Sequence, residues 1–184
     1  AGIAMAGRVI ELARAVGRDA QVTISVAFGC PLSGAVDPAR VADMARRLAA
    51  FGPLEIVLAD TIGVARPGEV SSLVAAVVEA VRPLPVRVHF HDTRGTGVAN
   101  AVAAVAAGAV TVDASIGGTG GCPFAPGAAG NVATEDVAYA LGGQMAVDID
   151  AVCEAAVWLN QKLERSRTSA MTRAWLSARE RNQA

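Results

Sequence analysis

A strand followed by a helix, four times over at intervals of about thirty residues, is the pattern that most restricts this chain. Strands separated by helices run parallel, because only antiparallel neighbours can be joined by a short hairpin. The first strand is QVTISVAFGCP, ending at Gly29-Cys30-Pro31. Asp37 then offers an N-cap with Pro38 at the first helical position, Val41, Met44, Ala45 and Leu48 form one apolar stripe, and Gly52-Pro53 ends the helix. LEIVLAD is the second strand, closing on Asp60. The helix after it starts at Pro67, carries Val70, Leu73, Val74, Val77 and Val81, and stops near Pro83. PVRVHFHD is the third strand, followed by a helix from about Gly97 to Ala107, and AVTVDASIGG is the fourth. A leading helix spans roughly Gly2 to Val16. Beyond the units, Thr134 caps a short helix, Asp148 opens a longer one through Trp158 and Leu163, and a last helix puts Trp175 and Leu176 on one side.

The fold class is therefore α/β. Both open parallel sheets and (β/α)8 barrels bind ligands at the C-terminal ends of their strands. Here those ends carry Cys30, Asp60, His89 with His91, and Cys122 in the loop after the fourth strand. Four units make half of a barrel that typically needs about 250 residues. The expected architecture is half a TIM barrel over residues 1–147, with C-terminal helices over 148–184 packing on it. Its first and fourth strands would be open edges, so a missing half or a second copy, giving a homodimer, is expected to pair with them.

The charge balance excludes some functions. A net charge of −1 provides no electrostatic footprint for nucleic acid or an anionic membrane. No window holds 18 uninterrupted apolar residues, and AGIAMAGRVIELARAVGRD lacks the basic start of a signal peptide, so it reads as an amphipathic helix. Three cysteines without a CxxC pair suggest free thiols in a reducing cytoplasm.

Alternation along PVRVHFHD points Arg87, His89 and His91 to one side and Val86, Val88 and Phe90 to the other. His-x-His on one strand face is a common way to bring two imidazoles to one metal ion, and Asp92 beside them favours that reading over two hydrogen-bonded polar residues. Asp60, phased with Leu54, Ile56 and Leu58, is expected to rise from the interior row of the barrel as base, metal ligand or loop cap. GGTGGCPFAPGAAGN, Gly117 to Asn131, holds six glycines and two prolines around Cys122 and is neither helix nor strand. It lacks a Walker ending and G-x-G-x-x-G. A thiol among glycine amides has the chemistry of an acid or nucleophile, against the alternative of an inert buried cysteine, which suits Cys153 better.

VAFGCPLSG, LEIVLADTIGVARPGEV, VHFHDTRGTGVANA and GGTGGCPFAPGAAGNVATED together resemble the 3-hydroxy-3-methylglutaryl-CoA lyase family, metal-dependent lyases on a TIM barrel, from about Gln21 to Glu164. The resemblance implies barrel strands five to eight. It further implies that a divalent cation, Mg2+ or Mn2+, is held by His89 and His91 with Asn131 as ligand or neighbour. Asp60 with His89 would take part in removing the hydroxyl proton, and Cys122 would protonate the carbanion. Asn160 and Lys162 would contact the coenzyme A of an acyl-CoA substrate, and the products would be acetyl-CoA and acetoacetate. The chain departs from the pattern in two ways: it contains no Asp-Arg-Glu-like stretch, and Arg94 and Thr96 stand where these lyases carry tyrosine and glutamine. The alternatives are a non-catalytic half-barrel pairing through its open edges, and a related acyl-CoA-dependent Claisen-type synthase.

Overall fold

In the computed structural model, which describes residues 2–121, 130–166 and 168–183, four parallel strands lie side by side in sequence order. They are β1 Val22–Ile24, β2 Ile56–Asp60, β3 Val86–Phe90 and β4 Thr111–Asp113. Helix α1 (Gly2–Ala15) precedes β1, and α2 (Pro38–Ala49), α3 (Pro67–Val81) and α4 (Gly97–Ala106) connect successive strands. After β4 come α5 (Thr134–Leu141), α6 (Ile149–Lys162) and α7 (Ala170–Gln183). No helix among the described residues is long and apolar enough to cross a membrane.

Side-chain chemistry sets several helix ends. Asp37 accepts the Ala39 amide at 2.9 Å with Pro38 opening α2, and Asp148 accepts the Ala151 amide at 3.1 Å at the start of α6. Thr134 does not cap α5: Ala133 holds the cap position and makes no side-chain hydrogen bond, so Thr134 is already helical. Helix α7 borrows its cap from α5, where Asp136 accepts the Met171 amide at 2.7 Å.

Two strands are shorter than their apolar runs. The run after Ile24 turns out of the ladder: Val26 takes a positive φ of 54°, its amide donates to the Thr61 hydroxyl at 3.0 Å, and Ala27 reaches the Ala59 carbonyl. Beyond Asp113 the chain makes a single bridge at Ser115 and then a 3₁₀ turn, Ile116–Gly118.

Register fixes the faces. On β2 and β3, Ile56, Leu58 and Asp60 lie beside Val86, Val88 and Phe90, while Val57 and Ala59 lie beside Arg87 and His89. Laterally paired residues of a parallel sheet point the same way. The first set packs under α2, α3 and α4 against Ala45, Leu48, Val70, Val74, Val77 and Ala104. Truncating a residue of this layer such as Leu58 to alanine costs about 2–5 kcal/mol. The second set, with Asp113 next to His89 on β4, forms the opposite, open face.

This register corrects the expected position of Asp60. It shares the helix-facing side with Phe90, not the row of Arg87 and His89. Every residue of β2 is buried, so polarity does not mark which of its faces is which.

Candidate active site

The segment Gly130–Thr134 returns across the ends of β3 and β4. Asp92 donates to the Gly130 carbonyl at 3.2 Å and Val132 to that of Phe90 at 3.1 Å, while Ser115 donates to Val132 at 3.1 Å and Thr134 to Ser115 at 3.0 Å. These bonds set Asn131 opposite His91. The approach is close enough to require glycine: a Cβ on Gly130 would run into the Gly118 carbonyl, and one on Gly118 would lie 2.9 Å from the Asn131 carbonyl. Asn131 donates its Nδ2 to the Thr119 carbonyl at 3.0 Å, which orients Oδ1 as the amide's remaining acceptor.

His89 and His91 meet edge to face, their rings 5.3 Å apart and inclined at 62°. His91 is 5% exposed, and its Nδ1 has no hydrogen-bond partner among the described residues. Burial, and then the neighbouring His89, push its pKa below the ordinary histidine value, with Asp60 pulling the other way. A neutral imidazole keeps a lone pair for a ligand. His89 is more open, its side chain 28% exposed.

Below the histidines the open face carries a line of charge. Arg87 donates through Nε to Glu55 Oε1 at 2.8 Å and through Nη1 to Asp113 Oδ1 at 2.5 Å. The other oxygen of Asp113 lies 3.8 Å from His89 Nδ1. Of these residues the sequence marked only Arg87. Neither Glu55 nor Asp113 was marked there; each becomes visible only when the register sets its strand beside β3.

Asp60 is fully buried and both its oxygens are occupied: Oδ1 accepts the Val64 amide and Oδ2 the Ala65 amide, each at 3.0 Å. Burial raises its pKa, against the pull of those two amides and of His91 and Arg94. Of the three roles open to it, this is the geometry of the loop cap. Arg94 braces the same loop, donating to the carbonyls of Ile62 at 3.0 Å and Gly63 at 2.9 Å, and Thr96 donates to Ala65 at 3.1 Å. The two positions that depart from the family pattern therefore shape the loop between β2 and α3.

Asn160 and Lys162 diverge. Asn160 is buried on the inner side of α6 against Gly117, whose added Cβ would be 3.5 Å from Asn160 Oδ1, while Lys162 is exposed at the helix end. Glu135, which the sequence reading passed over, holds the same turn: Oε2 accepts the Gly117 amide and Oε1 the Thr172 hydroxyl, each at 3.1 Å. Cys122 lies outside the described residues.

Two adjacent imidazoles, one with a buried unpaired nitrogen, and a nearby amide oxygen suit a divalent cation of intermediate hardness. They make part of a shell. Among the described residues no three His, Cys, Asp or Glu side chains are grouped to hold a metal.

Residues 2–166 match the HMGL-like family. The chain belongs to that family. Hydroxymethylglutaryl-CoA lyase of Pseudomonas mevalonii is 48% identical over 146 residues, which cover 76% of this chain and 48% of that protein. (R)-citramalyl-CoA lyase of Chloroflexus aurantiacus is 44% identical over 147 residues, 78% of this chain and 46% of that one. The structure of an HMG-CoA lyase from Acinetobacter baumannii, in complex with coenzyme A and 3-methylmalate, aligns with a TM-score of 0.83 at 34% identity, over 91% of this chain and 56% of its own. This HMGL-like chain thus spans about half the length of the curated relatives it matches. Its four-stranded parallel sheet corresponds to part of the HMG-CoA lyase barrel.

Proposed function

We propose that this chain serves a carbon–carbon lyase reaction in which 3-hydroxy-3-methylglutaryl-CoA, or a close 3-hydroxyacyl-CoA analogue, is cleaved to acetyl-CoA and acetoacetate. The observation that carries the reading is the placement of Asn131 opposite His91, beside His89, at the strand ends of an HMGL-like chain. Relatives named as lyases of hydroxymethylglutaryl-CoA and of citramalyl-CoA support an acyl-CoA substrate of this kind.

His89, His91 and Asn131 are the residues that would hold a divalent cation, Mg2+ or Mn2+. When bound, the cation lowers the cost of negative charge on the substrate's hydroxyl and carbonyl oxygens. In the reaction the hydroxyl gives up its proton to solvent water and the C2–C3 bond breaks. The electron pair passes to C2, adjacent to the thioester, and C3 becomes the ketone of acetoacetate. A proton delivered to C2 completes acetyl-CoA. We assign that proton to Cys122, on its thiol chemistry and glycine-rich setting. With both oxygens of Asp60 accepting backbone amides, its contribution is to hold loop 61–66 above β2. Lys162, exposed at the end of α6, is the cation offered to the phosphates of coenzyme A.

The test is a Mn2+ titration followed by paramagnetic broadening of the two histidine ring signals, with an acetoacetate assay beside it. Selective broadening of both rings, lost in His89→Ala and His91→Ala, is expected. A titration that leaves both rings sharp sinks the reading.

A second reading, a half-barrel that works by pairing, is favoured by the open edges. β1 and β4 each pair on one side only in the described sheet, and α1 turns Met5, Val9 and Leu12 outward, each more than half exposed. Light scattering decides it: a concentration-independent monomer removes self-pairing.

A further inference from the structure

We infer that Asp113 is a positioning residue for His89, held in place by Arg87 and Glu55, and that it sets which ring nitrogen His89 presents to a metal. The inference rests on the metal reading above and deepens it.

The register lays these groups out in one diagonal. Val57 pairs with Arg87, which puts Glu55 two residues before that level; Arg87 pairs with Thr111, and His89 pairs with Asp113. The string Glu55, Arg87, Asp113 therefore climbs across three neighbouring strands of the open face and ends beside His89. Glu55 is 4% exposed and takes the guanidinium Nε, which fixes the plane of Arg87. Nη1 then takes one oxygen of Asp113, and the carboxylate's second oxygen is left facing His89 Nδ1 at 3.8 Å.

A carboxylate tied to arginine only accepts hydrogen bonds. The neutral His89 ring therefore lowers its energy by placing its proton on Nδ1, which leaves the lone pair on Nε2. At 3.8 Å the pair is electrostatic, beyond direct hydrogen-bond reach; metal-bound histidines commonly give their second nitrogen to a carboxylate, and loss of such a partner weakens metal affinity about 10–100-fold. Asp113 is a support and not a ligand on this geometry: one of its oxygens is committed to Arg87, and it joins His89 and His91 in no metal-holding group among the described residues. His91 lacks an equivalent, since its Nδ1 has no partner among the described residues. Only one of the two imidazoles is set in advance.

The experiment uses the whole chain, metal-free, with 15N-labelled histidine. It is run at about pH 8.5, about two units above the reference histidine value. Long-range nitrogen–proton correlations report the tautomer of each ring. His89 is expected mostly as the Nδ1–H form, and Asp113→Asn should shift it toward Nε2–H while the circular dichroism spectrum is unchanged. Arg87→Met, which frees Asp113 to rotate, should move it the same way by a smaller amount. An Nε2–H majority in the parent chain overturns the inference without any variant, as does an Asp113→Asn tautomer ratio equal to the parent's. Mn2+ titration separates the two ideas. A tautomer shift in a parent that binds no Mn2+ leaves the positioning intact and removes the metal reading. Mn2+ binding that Asp113→Asn weakens by less than about threefold, against the 10–100-fold loss expected for a lost carboxylate partner, removes the positioning and leaves the metal reading.

Discussion

Replacing Asp60 with alanine separates a loop-holding carboxylate from a catalytic one. The side chain is fully buried and its two oxygens accept the amides of Val64 and Ala65, each at 3.0 Å. A buried amide left without an acceptor costs about 1–3 kcal/mol. The Ala65 bond is buried and the Val64 bond partly so, which puts the first toward the upper end of that range and the second toward the lower. Removing a buried carboxylate also recovers some desolvation cost, so the net loss is about 2–4 kcal/mol. For a chain of this size that lowers Tm by about 4–16 °C. Asp60→Asn keeps one acceptor and turns an N–H toward the other amide, so it should lose about 1–3 kcal/mol. Thermal unfolding followed by circular dichroism gives the first number, and amide exchange at Val64 and Ala65 locates the damage. The sign with pH is also set. Burial raises the folded-state pKa of Asp60, so as pH rises from the ordinary carboxylate value to that raised value, the unfolded chain loses this proton first and stability falls. Asp60→Asn should flatten that part of the profile. If Asp60→Ala melts with the parent and its Val64 and Ala65 amides exchange no faster, the loop-cap assignment is wrong.

Gly130→Ala puts a methyl group into the Gly118 carbonyl and within 3.0 Å of that of Gly120, backbone atoms that cannot swing aside. We expect about 1–3 kcal/mol of strain and a loosened Asn131, read as weaker Mn2+ broadening of His91. Thiol labelling resolved by mass spectrometry should find Cys30 ahead of Cys153: the Ser33 hydroxyl lowers the Cys30 pKa, whereas Cys153 is fully buried and burial raises its own. Equal rates at the two sites would contradict the structure. Trp175→Phe breaks the 2.6 Å bond from Nε1 to Asp150 that ties α7 to α6, and should lower stability by about 0.5–1.5 kcal/mol in a urea titration.

The histidine strand was legible because PVRVHFHD alternates polar and apolar residues, and in the structure Val86, Val88 and Phe90 are buried while Arg87 and His89 are half-exposed. LEIVLAD does not alternate. The residues of β2 are buried whichever way they point, so the phase of Asp60 was set by pairing with β3, and a one-residue difference in phase moves a side chain to the opposite face. The helix caps at Asp37 and Asp148 could be read because they are local, each acceptor lying within three residues of its donor. The cluster of Glu135, Gly117 and Thr172 could not, since its bonds span 18 and 37 residues.

Asn160 and Lys162, which the resemblance assigns together to coenzyme A, take different places on α6. Cys153, Ala156 and Asn160 recur at helical spacing and are the buried residues of α6, so the sequence already placed Asn160 on the inner stripe and Lys162 off it. Two positions apart on a helix, the two residues are separated by about 200° of rotation. The structure assigns the asparagine to the underside of Gly117, where it packs against the root of the glycine-rich segment, and leaves the lysine in solvent. α6 therefore reaches the site from two sides. Its inner face steadies the turn that leads toward Asn131, and its exposed end offers one positive charge. A contribution of Asn160 to the reaction should accordingly pass through the placement of Gly117, so Asn160→Ala should speed amide exchange at Gly117 while Lys162→Ala leaves it unchanged. If Lys162→Ala alters Gly117 exchange as strongly, the two residues act as one unit after all.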